Sequence, residues 1–292
     1  IITRSHEELD LTGQAGVVEL FRAERPEVVF LCAAKVGGIL ANDKYPAEFL
    51  YTNLAIQSNV IHEAWRSKVK RLVFLGSSCI YPRECPQPMR EEHLLTGPLE
   101  STNRSYAVAK IAGLEACWSY NRQYGTEFVT LMPSNMYGIG DNYHPDDSHV
   151  FAALIRKAHE AKTARLGSIR VWGSGNPRRE FLCSDDFAEA ALLIAGLSSD
   201  ALASAFPADA PPMINVGSGV DISIRELVGL VTDVVGFDGD IQWDPSRPDG
   251  APRKLLDIGR IRALGWAPRT SLREGLALAY GDYLKRVKQE VA

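Results

Sequence analysis

Residues 71–78 read Arg71-Leu72-Val73-Phe74-Leu75-Gly76-Ser77-Ser78, and this stretch decides the fold. A short apolar run that stops at a glycine is typical of a buried strand. Strands without polar alternation are buried on both faces, which occurs in parallel sheets covered by helices. The small residues Gly76 and Ser77 leave room for a ligand at the carboxyl end of the strand, where open parallel sheets bind their ligands.

The segments on either side of this strand alternate in a regular way. Apolar runs at residues 28–33 and 128–133 predict two further strands, and amphipathic stretches at residues 47–66 and 106–124 predict helices between them. Alternating strands and helices build a parallel sheet with helices on both faces. We therefore predict an α/β protein with a Rossmann-like, doubly wound parallel sheet.

The pattern changes after Gly140, where a polar, turn-rich stretch precedes a new helical stretch. A later apolar run that ends in a glycine turn indicates that the chain then returns to the sheet. We predict a Rossmann-like NADP-binding domain from residues 1–140 and 181–222. The remaining residues, 141–180 and 223–292, are predicted to form a smaller α+β lobe that binds the substrate.

The glycine turn of a dinucleotide-binding fold is absent from the sequence. Such folds place a Gly-x-Gly-x-x-Gly turn directly after their first strand, because its backbone N–H groups approach the pyrophosphate. The glycines of this chain lack that spacing, and residues 1–3 resemble a second strand that is followed by Arg4. We therefore expect the sequence to lack an initial β-α unit of about 30 residues.

The composition excludes several classes of protein. The 292 residues are 46% hydrophobic and 23% charged, with a formal net charge of −4. Charges of both signs are interleaved along the chain, which argues against nucleic acid as a partner. No apolar run approaches the roughly 20 residues that span a bilayer, so we expect a cytoplasmic protein without a membrane segment.

The cysteines predict neither a disulfide framework nor a metal site. Their number is odd and none belongs to a Cys-x-x-Cys pair, so a zinc ribbon is also excluded. Most are expected to be small buried side chains. The five are Cys32, Cys79, Cys85, Cys117 and Cys183.

Tyr106 and Lys110 form a Tyr-x-x-x-Lys pair in the predicted helix. A spacing of four places both side chains on one face of the helix. A nearby ammonium favours the phenolate, so the tyrosine can exchange a proton with a substrate oxygen. Ser77 adds a hydroxyl at a strand end about 30 residues earlier, where it can bond the same oxygen. The three residues together indicate a hydride-transfer site.

These motifs resemble those of the extended short-chain dehydrogenases that act on nucleotide sugars. The narrower resemblance is to the GDP-L-fucose synthase family, whose members are GDP-4-keto-6-deoxy-D-mannose 3,5-epimerase-4-reductases. It extends from the first residues to about Leu284. Besides residues 76–82 and 106–110, it rests on residues 33–39, 119–125, 141–145, 171–175, 214–217 and 248–250.

The resemblance implies epimerisation at C3 and at C5, followed by reduction of the C4 ketone. Protons on carbons next to a ketone are acidified, so each epimerisation requires an acid and a base at the ring. Cys79 and His149 match the family's pair for this role, and a protonated His149 would supply the cation that a reactive thiol needs. Ser77 and Tyr106 would polarise and protonate the C4 oxygen, while Lys110 would tune Tyr106 and hold the nicotinamide ribose.

The cofactor is predicted to be NADPH. An acidic residue after the second strand binds the ribose 2′-OH of NAD, whereas a cation accommodates the 2′-phosphate of NADP. Arg4 and His6 favour NADP, although the family often has arginine in place of His6 and Glu7 follows it. The other residues expected to bind the cofactor are Leu75, Gly76, Ser77, Ser78, Lys110, Pro133, Asn135 and His149.

The substrate is predicted to be a GDP-sugar. Arginine suits bidentate contacts to phosphate and lysine supplies a point charge, so Arg179 and Lys254 are candidates for the diphosphate. The other residues expected to bind the substrate are Lys157, Trp172 and Asp249. The family often has arginine at position 157, and Asp240 replaces a residue that can be cationic.

Two other functions remain open at this point. A related GDP-sugar epimerase-reductase of the colitose type would retain the same motifs. A chain that truly begins at Ile1 could be a non-catalytic sugar-nucleotide-binding protein. A UDP-sugar 4-epimerase fits less well, because it has no need for a cysteine and histidine pair at the ring.

A homodimer is also predicted. The helices at residues 47–66 and 106–124 have broad apolar faces, and related enzymes pair two such helices from each subunit. The interface would then be a bundle of four helices.

Overall fold

The structure, a computed structural model, describes residues 1–145, 148–246 and 249–291. Its strands are β1 (Val28–Leu31), β2 (Arg71–Leu75), β3 (Phe128–Pro133), β4 (Asn135–Tyr137), β5 (Ser168–Trp172), β6 (Arg178–Cys183), β7 (Met213–Val216), β8 (Asp221–Ser223), β9 (Asp240–Asp244) and β10 (Arg253–Lys254). Its helices are α1 (Gln14–Glu24), α2 (Ile39–Lys44), α3 (Pro46–Arg66), α4 (Arg104–Tyr124), α5 (Val150–Thr163), α6 (Ser184–Gly196), α7 (Ser199–Ser204), α8 (Ile224–Val235), α9 (Gly259–Ala263) and α10 (Leu272–Val291).

The central sheet has four parallel strands in the order β1-β2-β3-β7. Val28 pairs with Arg71 at the start of the ladder, and Leu75 pairs with Leu131 near its end. The strands therefore end together at one edge, where the small residues after β2 lie. The prediction of an α/β, Rossmann-like parallel sheet is confirmed.

Both faces of the central sheet are covered, as the apolar strands require. Alternate residues of a strand point to opposite faces. Leu72 and Phe74 belong to the cluster formed with α1, α3 and α4, whereas Val73 belongs to the cluster formed with α6 and α9. Burying an apolar side chain of this size contributes about 1.5–3 kcal/mol. The strand is thus held from both sides, and its carboxyl end is fixed in place.

The remaining strands form two smaller sheets. One has the order β10-β6-β4, with β8 antiparallel to β6, and the other pairs β5 with β9. A third apolar cluster lies between these strands and α5, α8 and α10. The division of the chain into two domains with the boundaries given above stays a prediction.

Two local predictions are wrong. Residues 1–3 are not a strand, because the chain turns at once: the Ser5 carbonyl accepts hydrogen bonds from the N–H groups of Glu8 and Leu9. Residues 198–212 are rich in Ala, Ser and Pro, a composition that predicts an exposed loop. In the structure α7 lies within them. It forms because Ser198 caps its first turn and Leu202 is buried against the sheet.

The part of the chain that the structure describes has neither a membrane-spanning helix nor a cluster of metal ligands. None of the helices there is long and apolar enough to cross a membrane. The same residues contain no group of three or more side chains that could hold a metal ion. All five cysteines are free thiols.

Candidate active site

Three of the predicted catalytic side chains meet at the carboxyl end of β2. Ser77 follows this strand, and Tyr106 and Lys110 lie one turn apart near the start of α4. Ser77 is hydrogen-bonded to the phenol of Tyr106. The Lys110 ammonium donates to the carbonyl oxygen of Leu75 over 2.7 Å, so the helix is fastened to the strand at this point.

Burial controls the electrostatics of this trio. It lowers the pKa of Lys110 to about 8, against a smaller opposite effect of Cys32. Burial also raises the pKa of Tyr106, and the nearby Cys79 raises it further, while the Ser77 hydrogen bond lowers it. The Lys110 ammonium lies 5.8 Å from the centre of the Tyr106 ring. Tyr106 is therefore a phenol here, in the state of a proton donor.

The predicted cofactor residues line the same edge of the sheet. Gly76 donates its N–H to the Leu131 carbonyl over 2.8 Å. A side chain at position 76 would collide with the sulfur of Met132, which explains the glycine. Pro133 ends β3, and Asn135 in β4 donates to the Glu180 carbonyl over 2.9 Å. The end of β2 is thus hydrogen-bonded to β3, and the end of β3 leads directly to the start of β4.

Cys79 lies in a short 3₁₀ turn, residues 78–80, that leads away from β2. Its backbone N–H donates to the Ser77 hydroxyl over 3.2 Å, which ties the two residues together. Its sulfur accepts a hydrogen bond from Asn103 Nδ2 over 3.1 Å. The Lys254 ammonium lies 4.0 Å from the same sulfur. The sequence analysis assigned the cation beside Cys79 to His149 and did not foresee Lys254.

His149 directly precedes α5 and is exposed. Burial raises the pKa of the neighbouring Asp141 carboxyl, and the charges of His149 and Arg286 oppose this rise. The loop before α2 lies close by, since a side chain at Gly38 would contact the Ser148 carbonyl at 3.7 Å. His149 is therefore placed between this loop and Asp141, open to solvent.

The two predicted diphosphate ligands are neighbours. Arg179 in β6 pairs in register with Lys254 in β10. Burial lowers the pKa of Arg179, while the charges of Asp249 and Cys79 oppose this. Its guanidinium donates to the Arg178 carbonyl over 2.8 Å and to the Asp249 carbonyl over 3.4 Å. The cations Arg179 and Lys254 thus lie on adjacent strands near the thiol of Cys79.

Asp249 contributes to this arrangement through a turn. Its two carboxylate oxygens accept hydrogen bonds from the N–H and the hydroxyl of Ser174, each over 2.7 Å. Gly173 has a φ of 82°, which glycine adopts without strain, and a side chain there would strike the carboxylate. Asp249 therefore fastens the turn that follows β5. Pro248, the neighbouring residue of the same motif, lies outside the described residues.

Lys157 and Trp172 also meet. The ammonium of Lys157 lies 5.2 Å from the centre of the Trp172 ring, within the range of a cation–π contact. Burial lowers the pKa of Lys157. Trp172 is 48% exposed, so one part of its ring is open to a ligand.

Arg4 is exposed and already carries an ionic partner. It forms an ion pair with Glu24 at the end of α1 and donates to the Thr3 carbonyl over 2.7 Å. Binding of a 2′-phosphate by Arg4 would therefore compete with Glu24.

Two residues of the site were missed by the sequence analysis. Asn103 is one, and its place three residues before Tyr106 at a helix start suggested only a cap. Glu180 is the other: this buried carboxylate accepts hydrogen bonds from the N–H groups of Gly219, over 2.6 Å, and Leu256, over 2.8 Å. It holds the segment after Lys254 against β6. A charged residue directly before the apolar run Phe181-Leu182-Cys183 was its only signal.

Comparison with known proteins places these features in a family. The profile of the NAD dependent epimerase/dehydratase family matches residues 2–206. GDP-L-fucose synthase 1 of Arabidopsis thaliana is 50% identical over 287 residues, which are 98% of this chain and 86% of that protein. The GDP-L-fucose synthase of Escherichia coli K12 is 49% identical over 288 residues, which are 98% and 88% of the two chains.

A solved structure extends the similarity to three dimensions. It is a GDP-D-glycero-L-gluco-heptose synthase from Campylobacter jejuni, crystallised in the presence of NADPH. The TM-score is 0.85 at 36% sequence identity, and the alignment covers 97% of this chain and 90% of that one.

Proposed function

The chain belongs to the NAD dependent epimerase/dehydratase family, and from this we propose that it is a GDP-L-fucose synthase. In this role it converts GDP-4-keto-6-deoxy-D-mannose to GDP-L-fucose by 3,5-epimerisation and NADPH-dependent 4-reduction. The observation that supports the proposal best is the meeting of Cys79 with the Ser77, Tyr106 and Lys110 trio at one sheet edge.

The residues at this edge fit a nicotinamide cofactor. The buried ammonium of Lys110 uses one of its three N–H donors on Leu75, which leaves donors for ribose hydroxyls. Gly76 begins the turn after β2, where Met132 leaves no room for a side chain. Leu75, Ser78, Pro133 and Asn135 complete the proposed binding surface. NADPH, when bound there, supplies the hydride for reduction of the ketone.

Reduction also requires a proton at the ketone oxygen. The hydroxyls of Ser77 and Tyr106 are hydrogen-bonded to each other, so both can bind the same ketone oxygen. Tyr106 holds its proton, because burial raises its pKa. It therefore donates this proton as the alkoxide forms, and the positive charge of Lys110 stabilises the phenolate that is left.

Epimerisation exchanges protons at the two carbons next to the ketone. At each carbon a C–H bond breaks, its electron pair passes into an enolate, and a proton returns on the opposite face. We assign the proton transfers to Cys79 and His149. Cys79 lies beside Ser77 and Lys254, and His149 is open to solvent and so can exchange its proton with water.

The nucleotide part of the substrate is assigned to the cations beyond Cys79. Arg179 and Lys254 lie side by side and would hold the diphosphate, with Asp249 fixing the adjacent turn. Lys157 and the half-exposed Trp172 would contact the base. Aromatic rings offer a stacking surface to any base, so this contact alone does not select guanine.

We also propose a homodimer and a cytoplasmic location. The helices α3 and α4 pack side by side on one face of the sheet. They bring together a set of partly exposed aromatic rings, formed by His62, Trp65, Tyr120 and Tyr124. Such rings on a helix pair suit a second copy of the same surface. The proposed location rests on composition alone.

The decisive experiment supplies the purified protein with GDP-4-keto-6-deoxy-D-mannose and NADPH. We expect consumption of NADPH and formation of GDP-L-fucose, identified by NMR of the product. The Tyr106→Phe variant is the control, and its rate of reduction should fall about 100- to 10,000-fold. Turnover of the corresponding UDP-sugar at the same rate, or a product with unchanged configuration at C3 and C5, would contradict the proposal.

A further inference from the structure

The side chain of Asn103 contacts the sulfur of Cys79. Asn103 directly precedes α4, the helix that carries Tyr106, and its Nδ2 donates to Cys79 Sγ over 3.1 Å. An N–H group that points at sulfur stabilises the negative thiolate more than the neutral thiol, because hydrogen bonding favours the charged acceptor. Asn103 thus binds the sulfur directly from the start of α4.

Charged side chains also lie near the sulfur of Cys79. Lys254 in β10 lies 4.0 Å away, and Arg179 in β6 is within electrostatic range. Both cations favour the thiolate. Tyr106 in α4 faces the sulfur too, and a thiolate raises the pKa of this phenol. The neutral amide of Asn103 is the nearer hydrogen-bond donor, since its nitrogen lies 3.1 Å from the sulfur and that of Lys254 lies 4.0 Å away.

The other end of the Asn103 amide is free. Its Oδ1 is buried and has no hydrogen-bond partner among the described residues. Buried polar atoms normally have a partner, so an orphaned oxygen beside an active thiol calls for an explanation. Rotation of the amide by half a turn exchanges its N–H and C=O ends. It breaks no hydrogen bond at Oδ1, because this oxygen accepts none from the described residues. The carbonyl can then accept the proton of a neutral S–H group.

From this geometry we propose that Asn103 is a positioning residue for Cys79, binding the sulfur as a donor in the thiolate state and as an acceptor in the thiol state. The inference rests on the proposed function. As Cys79 takes a proton from a ring carbon, the C–H bond breaks, an S–H bond forms, and the electron pair moves into the enolate. Asn103 keeps a hydrogen bond to the sulfur on both sides of this step.

Alkylation of Cys79 measures its ionisation without the sugar substrate. The rate of its reaction with iodoacetamide is followed against pH, and the peptide that carries residue 79 is quantified by mass spectrometry. In Asn103→Leu the rate at neutral pH should fall about tenfold or more, because the hydrogen bond from the amide to the reacting sulfur has been lost. Ser101→Ala, on the same turn but exposed, is the matched control and should keep the original profile.

Either of two results would overturn the inference. One is an unchanged alkylation profile in a folded Asn103→Leu protein, and the other is a shift of equal size in Ser101→Ala. Should the leucine variant fail to fold, Asn103→Ala removes the same donor with less bulk and decides the question in the same way. Asn103→Gln retains the amide and should restore part of the lost rate.

A second readout separates this inference from the proposed function. Deuterium uptake into the 4-keto sugar should fall in Asn103→Leu, while the affinity for NADPH stays unchanged. If the natural protein does not turn over GDP-4-keto-6-deoxy-D-mannose, the proposed function fails, yet the alkylation profile still reports on Asn103. If turnover is present and the variant exchanges protons at the original rate, only the role of Asn103 is refuted.

Discussion

The Lys110 ammonium is bonded to the carbonyl oxygen of Leu75 over 2.7 Å, and the lysine side chain is almost completely buried. The hydrogen bond joins α4 to β2. It also explains why a charged group is tolerated at this depth, since buried charges require a polar partner. The ionisation of Lys110 should therefore affect the rate of reduction.

We expect reduction to slow as the pH rises through about 8. Burial lowers the pKa of Lys110 to about 8, so the ammonium predominates below this pH and is lost above it. Without the charge, the phenolate left on Tyr106 is less stable and proton donation slows. The test is the pH profile of kcat for NADPH oxidation. Lys110→Arg keeps its charge and should move the decline to higher pH, whereas an unmoved decline assigns it to another group.

Replacement of Cys79 by alanine should block epimerisation far more than cofactor binding. An acid or base typically contributes about 100- to 10,000-fold, so deuterium exchange at C3 and C5 should fall within this range. NMR of the keto sugar in heavy water measures the exchange, and calorimetry measures NADPH affinity. Cys85→Ala serves as the control, because its buried thiol contacts His93 over 3.2 Å and lies outside the site. Unchanged exchange in Cys79→Ala would make Cys79 a packing residue.

Glu180 should make the stability of the protein depend on pH. Burial raises the pKa of its carboxyl from 4.5 to about 7, so the folded protein favours the protonated form. This preference stabilises the folded protein by about 3 kcal/mol below about pH 4.5. The stabilisation is lost as the pH rises through about 7.

Glu180→Gln cannot ionise, so its free energy of unfolding should lack this dependence on pH. Urea unfolding of both proteins at about pH 5 and about pH 7.5 gives the difference in their free energies of unfolding. This difference should change by up to about 3 kcal/mol in favour of the variant at the higher pH. Glu91, whose pKa burial also raises, is present in both proteins and cancels. A constant difference would show that Glu180 does not titrate in this range.

Sedimentation should show a dimer at micromolar concentration. Tyr51 on α3 is 71% exposed and belongs to the proposed interface, so Tyr51→Glu should shift the equilibrium towards monomer. Leu192 on α6 is 63% exposed on the opposite side of the sheet, and Leu192→Glu is the matched control. Equal effects of the two substitutions, or a monomer before any substitution, would argue against this interface.

The sequence predicts best what depends on local pattern. The strand before Ser77 and the helix that carries Tyr106 and Lys110 both follow from periodicity, and the spacing of four brings the last two onto one face. The prediction for the start of the chain was wrong, because residues 1–3 have the composition of a strand but are not part of one, and a turn follows from Ser5. Strand formation depends on a neighbouring strand, which composition alone does not provide.

The thiol side of the site is harder to predict. Periodicity gives no information on the approach of Lys254 to Cys79, since the contact joins distant parts of the chain. In the sequence, Asn103 is recognisable only as a residue at a helix start, and Glu180 only as a charged residue directly before an apolar run. Each acts through a partner that the fold supplies, so their roles become visible only in three dimensions.

The distance along the chain between Cys79 and Lys254 has a consequence for biosynthesis. The two residues are separated by 175 positions, whereas Ser77, Tyr106 and Lys110 occupy one short segment. Closing a long loop costs more entropy than closing a short one, and domains fold from the amino end as the ribosome releases them. The sulfur therefore acquires its cation only after nearly the whole chain has emerged.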